Sequence, residues 1–478
     1  MPGLALAIVK DGDVLLSQGF GYRDLSEHLP VTPYTRFAIG SATKAFTAMT
    51  LAMLVDDGVL DWHVPVKDYL PAFRLADPVA TAHMTPLDLL IHNSGLPSYL
   101  LAWYNAPLSR RELVERLAYL EPTREFRAAW QYQNFLYTVA GYLVEVLSGQ
   151  PWEGFLQQRL LTPLDMRDTT YSVQESRRSS DVALPYRLAG DQIHPMAFYE
   201  RFQAVGPAGS MNSTLVDMTK WLRCLLNQGQ TGLVRLVSEA QFAQLVSPHI
   251  LTPAAPTLYA SYPKLFDWTY GCGWFVTSYR GHRQIQHSGH IDGFNALVSF
   301  LPQDRIGLVL LSNRDNFFAH EVFNFTLCDR LLGLEAVPWQ ARFQHQVALL
   351  KGLAERGNQA QGADRGPGAP ASHPLSDYTG VFEHPGFGTF TMVQEGEHVQ
   401  GRHHDLEYIF THAHDEVFEV TQERLGLRLK GSFSTNLKGG IESFSIGLGL
   451  EAGTPPIVFR RVADRSPAEK KGSDAMDM

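Results

Sequence analysis

Ser41 and Lys44 form a nucleophile–base pair three positions apart near the start of the chain. On a helix, positions three apart share one face, so the two side chains would lie within reach of each other. A serine hydroxyl needs a neighbouring base to become a good nucleophile, and a lysine can be that base when burial lowers its pKa. The spacing therefore predicts an activated serine, although Ser-x-x-Lys also occurs by chance in long chains.

The stretch that follows Lys44 predicts how this pair is held. Residues 45–55 are apolar nearly all round and are followed by Asp56-Asp57-Gly58. An apolar circumference is typical of a helix that is buried on every side. We therefore expect a buried central helix that keeps Lys44 away from bulk water.

Tyr132 and Asn134 precede another predicted helix, which begins near Phe135. A tyrosine beside a lysine can be partly ionised and relay protons, and an asparagine amide can bind a substrate carbonyl group. Both residues are candidates for the same site as Ser41.

A third candidate stretch, 287–290, ends a predicted strand at 284–286. It consists of His287, Ser288, Gly289 and His290. The backbone N–H of His290, together with that of Ser41, could form an oxyanion hole for acyl transfer. Gly289 carries no side chain where a substrate would approach the backbone.

Length and composition limit the classes of protein to consider. With 478 residues, two or three domains are expected. A net charge of -9 argues against a nucleic-acid partner, and no apolar run approaches the 18 residues of a membrane span. Residues 1–10 are more typical of a first strand than of a signal peptide, so we expect a cytoplasmic protein, or an extracytoplasmic one if the true start lies upstream.

The order of strands and helices predicts the domain organisation. Strand patterns near both ends of the region up to 350, with an α-rich lobe at about 60–200, predict one sheet assembled from the two ends. Residues 351–373 are rich in Gly, Ala and Pro, as linkers are. Short strands and Gly turns at 374–462 predict a small all-β, barrel-like domain, and 463–478 are expected to be a disordered tail.

Ser41-x-x-Lys44, Tyr132-x-Asn134 and His287-Ser288-Gly289, in this order, resemble the three motifs of the serine β-lactamase and penicillin-binding-protein superfamily. The branch that they resemble most is that of the class C β-lactamase-related hydrolases, which includes esterases, D-aminopeptidases and DD-peptidases. The resemblance covers roughly residues 1–340 and extends to further stretches around the motifs: 34–40, 89–97, 161–166, 209–218 and 287–294.

The resemblance implies a fold and a mechanism. The fold is an α/β domain in which an antiparallel sheet is flanked by helices and joined to an α-rich lobe. Ser41 would form an acyl-enzyme, Lys44 and Tyr132 would share the role of base, Asn134 would position the acyl amide, and water would deacylate. Neither a cofactor nor a metal is implied.

The resemblance also implies the kind of substrate. Most relatives have lysine in the third motif, where this chain has His287. A histidine is mostly neutral at pH 7 and is a poorer partner for a substrate carboxylate. A small ester, or a D-amino-acid-containing peptide or amide, is therefore expected as substrate, with at most weak β-lactamase activity. The C-terminal β-domain resembles domains that shape the active-site mouth or build homo-oligomers in some related hydrolases.

Other interpretations of the same residues are open. The chain could be a catalytically silent protein that binds a ligand or partner, although such a protein need not keep Ser41, Lys44 and Tyr132. His282, His287 and His290 could suggest a metal site, but His287 and His290 would lie on opposite faces of a strand. His403, His404, His412 and His414 are better explained as part of solvated strands.

Overall fold

The computed structural model describes residues 1–253, 265–315, 317–362, 370–448 and 453–462. The first domain contains fifteen strands in the described part, and nine of them form one sheet in the order β10-β11-β12-β13-β14-β15-β1-β2-β3. The strands are β1 (Gly3–Lys10), β2 (Asp13–Asp24), β3 (Leu29–Pro30), β4 (Phe37–Ala38), β5 (Tyr186–Ala189), β6 (Gln192–Pro195), β7 (Asn212–Ser213), β8 (Gln230–Thr231), β9 (Val234–Arg235), β10 (Ile250–Leu251), β11 (Leu265–Tyr270), β12 (Phe275–Tyr279), β13 (His282–Ile291), β14 (Phe294–Leu301) and β15 (Ile306–Ser312).

The sheet is assembled from the two ends of the domain, as the sequence predicts. β1 pairs antiparallel with β2 on one side and with β15 on the other. β14 and β15 are buried along their whole length, which explains their largely apolar sequences. Helices therefore cover both faces of the centre of the sheet.

Fourteen α-helices are described, most of them between β4 and β10. They are α1 (Thr43–Asp56), α2 (Val66–Tyr69), α3 (Pro78–His83), α4 (Pro86–Ile91), α5 (Leu100–Trp103), α6 (Arg110–Arg116), α7 (Phe135–Ser148), α8 (Trp152–Leu156), α9 (Val173–Ser176), α10 (Gly206–Gly209), α11 (Leu215–Leu226), α12 (Glu239–Val246), α13 (Phe317–Leu331) and α14 (Trp339–Gly362). Among the described residues, no helix is long and apolar enough to cross a membrane.

Helix α1 is the buried central helix that the sequence predicts, because Thr43 to Leu54 are all buried. A 3₁₀ turn at Gly40–Ala42 precedes it, so Ser41 lies just before the α-helix. On the opposite face of the sheet, Leu4, Leu6 and Ile8 of β1 share an apolar cluster with α13 and α14. Two layers of helices thus enclose the sheet.

The second domain is the predicted β-barrel. Eight antiparallel strands close on themselves, with β16 next to β23. They are β16 (Gly380–His384), β17 (Gly388–Glu395), β18 (His398–His403), β19 (Leu406–His414), β20 (Val417–Gln422), β21 (Leu427–Thr435), β22 (Ile441–Ile446) and β23 (Ile457–Arg461). Its interior is largely aromatic, with Phe390 packed against Phe444 and Phe459 at ring-centroid distances of 5.1 and 5.2 Å.

The predicted linker is in part helical. Helix α14 runs to Gly362 and so crosses the predicted domain boundary at 350. The helix-forming residues at 353–356 and 359–361 outweigh the two glycines at 352 and 357. Residues 363–369 and the predicted disordered tail at 463–478 lie outside the described residues, and the domain bounds stay predictions.

The chain turns at residues 271–274, between β11 and β12. The backbone N–H of Gly271 donates to the carbonyl oxygen of Trp274. This turn separates the end of β11 from the start of β12. Gly273 has φ +79, and a Cβ on it would lie 3.0 Å from the backbone of Ala45. Glycine therefore permits both the turn and its close contact with α1. The stretch 287–290, predicted at a strand end, lies inside β13, which continues to Ile291.

A buried carboxyl group lies between the sheet and α13. Glu321 is 5% exposed, Gln286 of β13 donates to its Oε1 at 3.3 Å, and its Oε2 has no hydrogen-bond partner in the described structure. Burial raises the pKa of Glu321 to about 7. In the unfolded chain the same group would titrate near its ordinary value.

Replacing Glu321 with glutamine is expected to stabilise the protein at high pH. The folded state holds the proton more tightly than the unfolded state, so the free energy of unfolding of the wild type falls as pH rises from about 4.5 to about 7. Glu321→Gln removes this loss and is expected to gain up to roughly 3 kcal/mol at pH 8 and little at pH 4. Urea unfolding at several pH values measures the difference, with the exposed Glu335→Gln as control. If the free energy of unfolding depended on pH equally in wild type and in Glu321→Gln between pH 5 and 8, this assignment would be contradicted.

Candidate active site

Ser41 and Lys44 are in contact at the N-terminal end of α1. The Nζ of Lys44 lies 3.1 Å from the Oγ of Ser41. Lys44 is 0% exposed, whereas Ser41 is partly accessible to solvent. The predicted nucleophile thus faces solvent, and the predicted base lies behind it.

The partners of Lys44 favour a neutral amine. Its Nζ donates to Asn134 Oδ1 at 2.7 Å and to the carbonyl oxygen of Ala208, in α10, at 2.8 Å. Neither acceptor carries a charge. A neutral amine has two N–H donors and one lone pair, so with both donors engaged the lone pair is left to accept the proton of Ser41.

Burial decides the charge of this group. The rings of Tyr132 and Tyr137 lie 4.8 and 5.3 Å from Nζ, and such contacts favour a cation by about 0.5–2 kcal/mol. Burying an ammonium group without a counter-charge costs several kcal/mol, which exceeds the stabilisation that the two rings provide. Burial therefore holds the pKa of Lys44 well below its ordinary value.

Tyr132 contacts Ser41 as the sequence predicts, but its environment favours the neutral phenol. Burial raises its pKa above the usual value, and the hydrogen bond with Ser41 offsets this only in part. A partly ionised Tyr132 is therefore not supported. Lys44 is the better base of the two, and Tyr132 is placed to pass on a proton.

β13 brings the third predicted stretch to the site. The Nε2 of His287 lies 2.8 Å from the hydroxyl of Tyr270, and its Nδ1 lies 2.6 Å from the carbonyl oxygen of Ser288. The second contact requires Nδ1 to carry the proton, so Nε2 accepts from Tyr270. Burial and the nearby Lys44 lower the pKa of His287 to about 3. His287 is therefore neutral at pH 7.

The backbone of β13 lies against the residues that precede Ser41. A Cβ on Gly289 would come within 1.7 Å of the carbonyl oxygen of Ile39, and a Cβ on Gly40 within 2.8 Å of the amide nitrogen of His290. Only glycine allows this approach. It brings the amide nitrogen of His290 close to the chain at Ser41, as an oxyanion hole requires.

The side chains of His290 and Ser288 lie outside the site. The side chain of His290 is exposed, and its Nε2 lies 2.9 Å from Asp315 Oδ1. The alternation of β13 directs the side chain of Ser288 to the face opposite His287, so only its carbonyl oxygen contacts the site residues. Both residues contribute backbone atoms.

Sequence analysis missed His92, which lies among the site aromatics. It caps α4 in the left-handed conformation, with φ 61°. Its ring centroid lies 4.3 Å from that of Tyr132 and 4.8 Å from that of Tyr270. It is fully buried, and burial together with Lys44 keeps its pKa well below the usual value. In the sequence, His92 is recognisable only as the residue that follows a helix with Thr85 and Pro86 at its start. That position does not reveal its contacts with Tyr132 and Tyr270.

The histidines considered as metal ligands have other partners. His282 contacts Asp304 through Nδ1 at 2.9 Å, and His287 and His290 lie on opposite faces of β13. Within the described residues, no group of three or more His, Cys, Asp or Glu side chains is arranged to hold a metal ion.

Comparison with known families decides the membership of the chain. Residues 1–327 match the beta-lactamase family. The chain belongs to the beta-lactamase family. Residues 364–461 match DUF3471, a domain of unknown function that corresponds to the barrel.

Two curated relatives show what this family member is similar to. Unguisins hydrolase ungD' of Aspergillus campestris (strain IBT 28561) is 28% identical over 418 residues, which cover 83% of this chain and 75% of that protein. Protein flp of Staphylococcus aureus (strain MW2) is 26% identical over 322 residues, which cover 66% of this chain and 60% of that protein.

Two solved structures share the fold. The octameric penicillin-binding protein homologue from Pyrococcus abyssi has a TM-score of 0.61 at 21% identity and covers 96% of this chain and 95% of its own. The D-amino acid amidase from Ochrobactrum anthropi SV3 has a TM-score of 0.54 at 23% identity and covers 65% of this chain and 86% of its own. The family and the assembled residues together make this member of the family a serine hydrolase of the β-lactamase and penicillin-binding-protein superfamily.

The lowered pKa of Lys44 predicts how acylation depends on pH. A base with a lowered pKa is neutral and active above that pKa and is lost as pH falls through it. The rate of Ser41 acylation by an activated ester is expected to reach its plateau well below pH 10.5. An ordinary lysine would give a rate that still rises about tenfold per pH unit between pH 8 and 10. His287→Gln should leave the pH at which the acylation rate falls unchanged, because His287 is already neutral at that pH. A steep rise towards pH 10 would contradict the assignment.

Proposed function

We propose that this protein hydrolyses small amides, short D-amino-acid-containing peptides or esters through an acyl-enzyme on Ser41. The observation that carries the proposal is the contact between Ser41 Oγ and the buried, uncompensated amine of Lys44. It supplies a base at neutral pH without a histidine–carboxylate pair.

The first half of the reaction forms the acyl-enzyme. Ser41 Oγ attacks the substrate carbonyl carbon while its proton moves to Nζ of Lys44. The N–H groups of Ser41 and His290 stabilise the negative oxygen of the tetrahedral intermediate. The bond to the leaving nitrogen or oxygen then breaks, and that atom takes the proton through Lys44 and the hydroxyl of Tyr132.

The second half regenerates the serine. Water attacks the ester carbonyl and gives a proton to the same Lys44–Tyr132 pair, which returns it to Ser41 Oγ as the acid leaves. Asn134 Oδ1 is engaged by Lys44, so its amide nitrogen is the atom that would donate to the substrate's acyl amide. The proton count is balanced over the cycle.

Neutral His287 supports the choice of substrate class. A substrate carboxylate would find no fixed positive charge at this position, which disfavours rapid turnover of penicillins. The surrounding rings of Trp130, Tyr270 and Phe275 suit an apolar or aromatic group instead. The names of two relatives, a hydrolase and a D-amino acid amidase, agree with this class.

A catalytically silent binding protein is the weaker alternative, because nucleophile, base and relay are in contact. Self-association through the barrel also stays a prediction. The octamer is a property of the Pyrococcus homologue, and size-exclusion chromatography of this protein with light scattering would measure its own state.

Intact-protein mass spectrometry tests the proposed chemistry. A fluorophosphonate should add one adduct to the wild type and to the exposed barrel variant Ser434→Ala, and none to Ser41→Ala. A D-amino-acid amide and an activated ester should be turned over at least 10³-fold faster by the wild type than by Ser41→Ala. A penicillin should give at most slow turnover. Equal labelling of Ser41→Ala, or no adduct on folded wild type, would contradict the acyl-enzyme.

A further inference from the structure

A loop of the barrel reaches the end of the strand that carries the third motif. Arg424 lies between β20 and β21, and its Nη2 donates to Asp292 Oδ2 at 3.0 Å and to the carbonyl oxygen of Phe198 at 2.9 Å. Its guanidinium carbon lies 5.8 Å from the ring centroid of Tyr104. The hydroxyl of Tyr104 donates to the same Oδ2 of Asp292.

This ion pair is not an ordinary surface pair. The side chain of Asp292 is 8% exposed, that of Arg424 27%, and Tyr104 is 3% exposed. An exposed pair contributes little, whereas removing one partner of a buried pair leaves an uncompensated charge. Asp292 should therefore change position or surroundings when Arg424 is removed.

Asp292 lies in the turn that joins β13 and β14. With Gly293 it forms the two-residue connection between β13 and β14, and both have positive φ angles of 24° and 79°. Asp315 holds the same turn from another side, because its Oδ1 accepts the N–H of Gly293 at 2.9 Å and lies 2.9 Å from His290 Nε2. His290 is two residues before Asp292.

We infer that Arg424 is a positioning residue, which fixes the Asp292 turn and thereby the N–H of His290 relative to Ser41. The barrel is then part of the catalytic apparatus, although it is a separate family match from the catalytic domain. This inference rests on the proposed function. Oxyanion-hole donors act only when they are preorganised, and a displacement of about 1 Å can reduce a rate by about 100-fold.

A purely structural role is the competing explanation, and a second interdomain pair provides the control. Arg201 Nη1 lies 3.2 Å from Asp405 Oδ2 of the barrel, and these side chains are 49% and 44% exposed. Neither residue belongs to the turn. Arg201→Met should weaken the domain contact without moving the turn.

The experiment measures kcat, KM and thermal unfolding for Arg424→Met, Arg424→Lys, Asp292→Asn and Arg201→Met with an activated ester. We expect Arg424→Met to lower kcat roughly 10- to 100-fold with KM changed less than threefold, and Arg201→Met to change kcat less than twofold. Lysine cannot reproduce the shared contacts of the guanidinium and should restore little. The double variant Arg424→Met/Asp292→Asn should lose no more than the worse single variant, because both act through one link.

Several results would overturn the inference. The first is a wild-type kcat in folded Arg424→Met. The second is a loss of kcat in Arg201→Met equal to that in Arg424→Met. The third is a loss of kcat in Arg424→Met/Asp292→Asn that equals the product of the two single losses. If Arg424→Met does not fold, Arg424→Lys and Asp292→Asn decide by the same criteria. Failure of the proposed function is distinguishable, because wild type would then form no fluorophosphonate adduct at Ser41. Normal adduct formation with an unaffected Arg424→Met rejects the inference alone.

Discussion

The structure depends on keeping the amine of Lys44 buried beside Ser41 with only neutral acceptors. An ammonium ion there would need a carboxylate, and the partners present are the Asn134 amide and the Ala208 carbonyl group. The cost of burying a charge here exceeds the attraction of the nearby tyrosine rings, so burial lowers the pKa of Lys44. This single constraint sets the proton-accepting capacity of the site. Burial in the same surroundings also lowers the pKa of His92 and of His287.

The fold meets this constraint by packing several elements onto the first turn of α1. The Gly271–Trp274 turn lies against Ala45, β13 lies against Ile39 and Gly40, and α10 presents the carbonyl oxygen of Ala208. The first two approaches are close enough that side-chain-free positions are needed at Gly273, Gly289 and Gly40. The Arg424 contact adds the barrel to this set, because it reaches the far end of β13. Residues of both the catalytic domain and the barrel thus position the site.

Much of this organisation could be predicted from the sequence. The Ser41–Lys44 spacing on an apolar helix, the order of the three motifs, the first strand and the short strands of the barrel all depend on local pattern. Other features depend on partners far along the chain. The Arg424–Asp292 pair joins positions 132 residues apart. The buried His92 contacts Tyr132 and Tyr270, and the turn at 271–274 packs against α1. A periodic pattern identifies a buried face but not the residue that it meets.

Direct titration of Lys44 tests the central claim most directly. Protein labelled with ¹⁵N and ¹³C at the lysine side chains can be followed by NMR as pH is varied, and Lys44→Arg identifies the Lys44 signal. The account predicts that the Lys44 signal changes from ammonium to neutral amine at a pH well below 10.5. An ammonium signal that persists to pH 9 or above would contradict it.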